Sequence, residues 1–162
     1  MLDDGTRAML YFSICGHITE RMVHIIAGKV DDTGKSNSIL TPITKIDAFG
    51  IKNLSIDIQA LETFADGTGL PQLSTCFHEL RWLTDALLDP DLPNLLTPEN
   101  ENKRRRKHPF LQLESLGNVL EKYQGSGGIS GMLGGSGSTE FLILEKKDVA
   151  HLLKLVAQAK MR

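Results

Sequence analysis

Residues 54–65 read Leu54-Ser55-Ile56-Asp57-Ile58-Gln59-Ala60-Leu61-Glu62-Thr63-Phe64-Ala65, and after a break at Asp66-Gly67-Thr68-Gly69 the chain runs from Leu70 to Leu88. At about 100° per residue, Leu73, Cys76, Phe77, Leu80, Leu83, Thr84 and Leu87 fall on one apolar stripe. Leu54, Ile58, Leu61, Phe64 and Ala65 do the same in the first segment, where glycines and an aspartate mark the stop and Pro71 the restart. The pattern predicts two helices joined by a tight break, and it sets the class as all-α. Trp82 falls outside the stripe, among Thr75, His78, Glu79 and Asp85. An indole there is covered by a second layer, covered by a partner, or left wet.

Upstream, Thr41-Pro42 predicts the opening of another helix, with proline in the first turn and Ile43, Ile46, Phe49 and Ile51 along it. Gly50 is read as its bend into the next helix, which Asn53 or Ser55 caps. Asp57 would then lie in a first turn, where a carboxylate can accept free N–H groups and meet the positive helix end. Residues 6–27 predict a long helix after the capping residues Asp3, Asp4 and Thr6, ended by Gly28. Ala8, Tyr11, Phe12, Cys15, Ile18, Met22, Ile25 and Ile26 form its broad apolar face. His17 and His24 stand two turns apart, roughly 10 Å, too far to share one metal ion. They read as solvated. Residues 28–41 read as a polar loop. Its Gly34-Lys35-Ser36 is not a phosphate-binding loop, because Lys29 stands where the first glycine belongs and a helix, not a strand, precedes it.

Downstream, Asp89-Pro90 and Pro93 stop the second helix, and residues 89–109 read as a connecting loop. It ends in a basic run, Lys103, Arg104, Arg105, Arg106 and Lys107, that is a candidate for anionic lipid, nucleic acid or nuclear import. The run lacks interleaved aromatics and is flanked by Glu99 and Glu101, so a solvated loop is the plainer reading. Residues 110–124 predict a short helix carrying Leu113, Leu116, Leu120 and Tyr123. Residues 125–139 are too rich in glycine to pack and read as a flexible tether, with Ile129, Met132 and Leu133 favouring a natural insertion over an engineered linker. A final amphipathic helix carries Val149, Leu152, Leu153 and Val156. No strand alternation of useful length appears.

The 162 residues suit a single domain, and a hydrophobic fraction of 41% can build a core. A net charge of -2 gives no field to recruit nucleic acid, and none is expected as a partner. The two cysteines, Cys15 and Cys76, read as small hydrophobes in a reducing compartment. No apolar run reaches the ~18 residues of a membrane span, and the acidic N-terminus lacks a secretory signal, so a cytoplasmic protein is expected. His78-Glu79-Leu80-Arg81-Trp82 begins like a zinc-protease helix but has tryptophan at the second histidine. No catalytic, metal or cofactor residue emerges. The expectation is a non-enzymatic, all-α array or bundle of about five to six helices, with long polar and glycine-rich loops and no sheet.

Leu54-x-Ile56-Asp57-Ile58 followed by Leu61-Glu62-x-Phe64-Ala65, then Leu73-x-x-Cys76-Phe77-x-Glu79-Leu80-Arg81-x-Leu83, resembles the C-terminal region of the exocyst's Sec-fifteen subunit, the exocyst complex component six family. Cys15-Gly16-His17-Ile18, Leu120-Glu121-Lys122 and residues 148–160 agree in order, so the resemblance spans most of the chain. Departures are the loop at 28–41, the glycine tract, Leu88-Asp89-Pro90-Asp91 in place of an aromatic-acidic motif, and Ser55 in place of a frequent asparagine. The resemblance implies the C-terminal helical part of a longer tethering subunit that receives a GTP-loaded Rab GTPase on secretory vesicles and meets other exocyst subunits near the plasma membrane. It places the Rab contact near the start of the helix at Leu54. The candidate partner-binding residues are therefore Ser55, Asp57 and Gln59, with His78 and Trp82 added from the off-stripe side. The alternative is a helical adaptor whose basic run contacts anionic membrane or serves nuclear import.

Overall fold

The computed structural model describes residues 3–28, 41–124 and 142–161. All but the two end residues of the expected polar loop at 28–41, and the glycine tract at 125–139, lie outside them. The described residues form seven helices and no strand: α1 (Asp4–Ala27), α2 (Ala48–Gly67), α3 (His78–Leu88), α4 (Leu92–Leu95), α5 (Glu101–Lys107), α6 (Leu113–Lys122) and α7 (Lys146–Lys160). The fold is all-α, as the periodicity implied.

Helix α1 starts where the Asp3 carboxylate accepts from the Thr6 amide at 2.9 Å. It stops at Gly28, where a Cβ would stand 2.2 Å from the His24 carbonyl oxygen, so only glycine fits without a shift. Cys15, Thr19, Ile26 and Ala27 are buried, and the Thr19 hydroxyl donates to the Cys76 carbonyl at 2.8 Å. Phe12, placed on the inner face by its spacing, is exposed together with Met9, Leu10 and Ile14. The first half of α1 thus keeps a solvent-facing apolar side, while Tyr11 and Cys15 on its other side join the core.

The helix expected from Pro42 does not form. The Ile43 amide donates to the Ile25 carbonyl, the Ile46 amide to the Lys122 carbonyl, and the Gln124 amide to the Ile46 carbonyl at 2.7 Å. Those contacts hold the segment extended across α1 and the end of α6, making a parallel bridge between Ile46 and Tyr123. Asp47 then caps α2, its carboxylate accepting from the Gly50 amide at 2.7 Å. With this cap in place Gly50 is in the first turn and marks no bend. Asn53 and Ser55 are interior residues, not caps. Asp57 lies in the third turn, beyond reach of the free N–H groups, and is exposed.

Helix α2 ends where the Thr68 hydroxyl donates to the Ala65 carbonyl at 2.7 Å. Gly69 and Gln72 then adopt positive φ values of 72° and 65°. This reverses the chain, and a 3-10 turn, Leu73–Phe77, leads into α3. The expected start at Pro71 is corrected accordingly, because left-handed Gln72 cannot belong to a right-handed helix. Leu73, Phe77, Leu80, Leu83 and Leu87 are buried as the stripe required, meeting Ile51, Ile58 and Ala65 of α2.

Residues 89–109 are not a loop. Leu92, Leu95 and Leu96 are buried in and beside α4, a 3-10 turn spans Pro98–Asn100, and the basic run forms α5. The prolines end α3 but also start these short pieces, which is their favoured place. Helices α6 and α7 close the core through Leu116, Val119 and Leu120 against Leu152, Leu155 and Val156. The Leu142 amide donates to the Leu88 carbonyl and the Leu144 amide to the Tyr123 hydroxyl. A capping box between Glu145 and Asp148 then starts α7.

Candidate functional site

Helix α2 is held at both ends by side-chain caps and on one side by the core, which leaves its outer side as a rigid exposed ridge. Ile56, Ala60 and Phe64 lie at four-residue spacing, one above another on that side. Ile56 is 54% and Phe64 59% exposed, with Phe49 also exposed one end further on. Phe64 was expected in the inner stripe. It stands at the edge of that stripe, about 100° round the helix from Ala65, and turns to solvent, while on the opposite flank Glu62, one-fifth exposed, accepts from Arg81 Nε of α3 at 3.0 Å and from the same guanidinium's NH2 group. Asp57 and Gln59 are exposed on the two flanks of the ridge, whereas Ser55 is half-buried on the inner side. Exposed apolar residues scattered singly are ordinary, but a contiguous ridge rimmed by polar groups marks a contact surface.

His78 and Trp82 are brought together elsewhere. The Trp82 ring stands edge-on to His108, with centroids 5.9 Å apart, and lies 6.4 Å from Phe110. His78 meets the same Phe110 at 5.8 Å. The indole is therefore covered by the end of α5 and the residues after it. Its Nε1 is sealed from solvent without a hydrogen-bond partner. Trp82 is thus half-buried against His108 and Phe110, on the side of α3 away from its core stripe.

Beside it lies a buried polar knot that the sequence reading had only as a helix stop. Asp89 accepts from His108 at 2.9 Å, from Lys107 at 2.6 Å and from the Asp91 amide at 3.0 Å. Burial pushes the Asp89 carboxyl up, but the bonds from Lys107, His108 and the Asp91 amide outweigh it and hold it below its ordinary 3.8. With Asp89 ionised, His108 Nε2 is the donor, and Nδ1 is left buried and unpaired. No charge pattern in the sequence joins positions 89 and 108.

The basic run does not present five cations to solvent. Lys103 pairs with Asp91 at 2.8 Å, Arg105 with Glu101 at 2.6 Å and Lys107 with Asp89. Arg104 is buried, and Arg106 is exposed. Its reading as a solvated loop is corrected: it is a short helix in which three of five cations are matched by Asp89 and Asp91, in the joint between α3 and α4, and by Glu101 of its own first turn. His17 and His24 are exposed on α1, and among the described residues no group of three metal-ligating side chains converges.

Compared with known proteins, the chain matches no protein-family model, no curated protein and no solved structure.

Proposed function

We propose that this chain is a non-enzymatic, helical binding module of the exocyst vesicle-tethering complex, which takes a GTP-loaded secretory Rab GTPase on the outer ridge of α2. The observation that carries the reading is the exposed ridge Ile56–Ala60–Phe64 with Asp57 and Gln59 on its flanks. It falls in the segment where the resemblance to the Sec-fifteen subunit is densest. A helix fixed at both ends loses little freedom on binding, so contacts made by its exposed apolar residues are not consumed by ordering it. Ile56 and Phe64 are the anchors in this reading, and Asp57 and Gln59 give orientation. Ser55, half-buried, supports the helix from the inner side.

The uncovered apolar residues of α1, Met9, Leu10, Phe12 and Ile14, fit a second contact with another exocyst subunit or with further helices of the same one. No described helix is long and apolar enough to cross a membrane, so the proposed place is peripheral, at secretory vesicles and sites of exocytosis. The adaptor reading with a membrane-addressing basic run is weaker, because three of its five cations already have carboxylate partners. A pull-down with a secretory Rab loaded with a non-hydrolysable GTP analogue or with GDP tests the reading. Retention in the GTP state alone supports it, and equal or absent retention overturns it.

A further inference from the structure

Between α5, the start of α6 and the end of α7 lies an open cleft of about 700 Å³, lined among others by Arg104, Arg105, Gln112, Glu114 and Lys160. Two features of its wall are unmatched. Helix α6 begins without a side-chain cap on Gln112. The amides of Leu113, Glu114 and Ser115 precede the first intrahelical bond, which is made by Leu116 to the Gln112 carbonyl. The positive end of the helix faces the cleft with donors to spare.

The second feature is independent of the first. Arg104 is 7% exposed, yet its guanidinium makes no hydrogen bond and no ion pair among the described residues. A buried guanidinium without a partner costs folding free energy and is retained at a loss unless something meets it. The side-chain atoms sealed from solvent and unpaired are Trp82 Nε1 and His108 Nδ1, so the Arg104 nitrogens still reach solvent. Arg104 lines this cleft and also a smaller hollow beside Leu96, Pro98 and Gln158. Burial, and to a smaller degree the neighbouring Arg105, pushes this guanidinium down from its ordinary value, with Glu101 only partly opposing.

Lys160 completes the cationic side. Its Nζ lies 3.6 Å from where a Cβ on Gly117 would stand, so α7 lays this ammonium over the first turns of α6. Arg105, engaged with Glu101, stands at the rim, and Glu114 is the one carboxylate among the residues lining the cleft.

We infer that this cleft is a binding site for a phosphate-type oxyanion, gripped by the Arg104 guanidinium and Lys160 and seated on the free amides at the start of α6. A planar guanidinium and a row of backbone donors match the geometry of a phosphate monoester. Such a group could be carried by a soluble small molecule or by a lipid headgroup. The inference does not rest on the α2 ridge.

Titration of the whole chain with inorganic phosphate against chloride at equal ionic strength, followed by ¹⁵N NMR, tests it. Saturable shifts are expected at the Leu113, Glu114 and Ser115 amides and at the Arg104 side chain. Arg104→Met should lower the affinity at least about tenfold while leaving the melting temperature unchanged or raised, since it removes an unpaired buried charge. Lys160→Gln should weaken binding severalfold without touching the fold, and Glu114→Gln should strengthen it. Flotation with phosphatidylcholine vesicles, plain or containing a phosphorylated inositol lipid, separates the sources. Flotation that depends on Arg104 assigns a lipid headgroup, and Arg104-dependent phosphate shifts without flotation assign a soluble phosphate. Shifts that do not saturate, or that persist in both Arg104→Met and Lys160→Gln, mean a diffuse charge effect and overturn the inference, as does a marked loss of stability in Arg104→Met.

Discussion

Asp89, at the end of α3, and His108, just past α5, are both buried and lie 2.9 Å apart, Oδ2 to Nε2. That one contact, reinforced by Lys107, fastens the basic helix to the body of the fold and brings His108 over Trp82. Replacing Asp89 with Asn keeps the shape but removes the charge that matches Lys107. The expected cost is roughly 2–3 kcal/mol, from breaking a buried charged contact. Chemical denaturation of Asp89→Asn at neutral pH checks it.

The same contact gives an acid dependence with a definite sign. The folded Asp89 carboxyl titrates below its ordinary 3.8, so the unfolded chain binds its proton first as pH falls. The stabilisation is fully present above that ordinary value and is lost as pH drops through the lowered folded one. Melting curves from pH 6 down to pH 3 should therefore fall more steeply for the native chain than for Asp89→Asn, which lacks the group. Parallel curves would remove Asp89 from the account of acid stability.

Trp82 reports on the packing of His108 and Phe110 against α3. Its indole N–H is sealed and unpaired, so Trp82→Phe gives up some packing but also removes an unsatisfied donor, and should cost under about 1 kcal/mol. Trp82→Ala leaves a cavity beneath His108 and Phe110 and should cost about 3 kcal/mol. Tryptophan fluorescence gives a second readout: emission should move to longer wavelength in Phe110→Ala, which uncovers the ring.

Arg81 and Glu62 join α3 to α2 across the helix break. Both keep some solvent contact, so screening limits their worth. A double-mutant cycle with Arg81→Met and Glu62→Gln should give a coupling of about 1 kcal/mol that shrinks on adding salt. A coupling near zero would mean that apolar packing alone sets the angle between the two helices.

The all-α class and the inner stripe of α3 were legible because local period and burial agree there. Leu73, Phe77, Leu80, Leu83 and Leu87 are all buried as their spacing required. The misreadings came from contacts between distant positions. Pro42 looked like a helix start, but the carbonyls of Ile25 and Lys122 capture the amides that follow it. Arg104 looked like one member of a solvated run, yet the short helices around it bury it. Phe64 stood only at the edge of the predicted stripe, about 100° from Ala65, and faces out, because Ile58 and Ala65 mark the centre of the buried side. Of the candidate contact residues, Asp57 and Gln59 are on the exposed side of α2, Ser55 is turned inward, and Trp82 is covered. Ile56 lay outside the predicted stripe but was not singled out as a contact residue, because a lone off-stripe isoleucine carries no signal until its exposed neighbours are known.

The central claim is that the outer ridge of α2 receives a GTP-loaded Rab, and one calorimetric titration tests it most directly. A secretory Rab in its GTP form is titrated into the native chain and into Ile56→Asp combined with Phe64→Asp. The account predicts measurable affinity for the native chain, at least a hundredfold loss in the double variant, and a melting temperature within a few degrees of native, since both residues are exposed. Undiminished affinity in the double variant, or no heat of binding with the native chain, would contradict it.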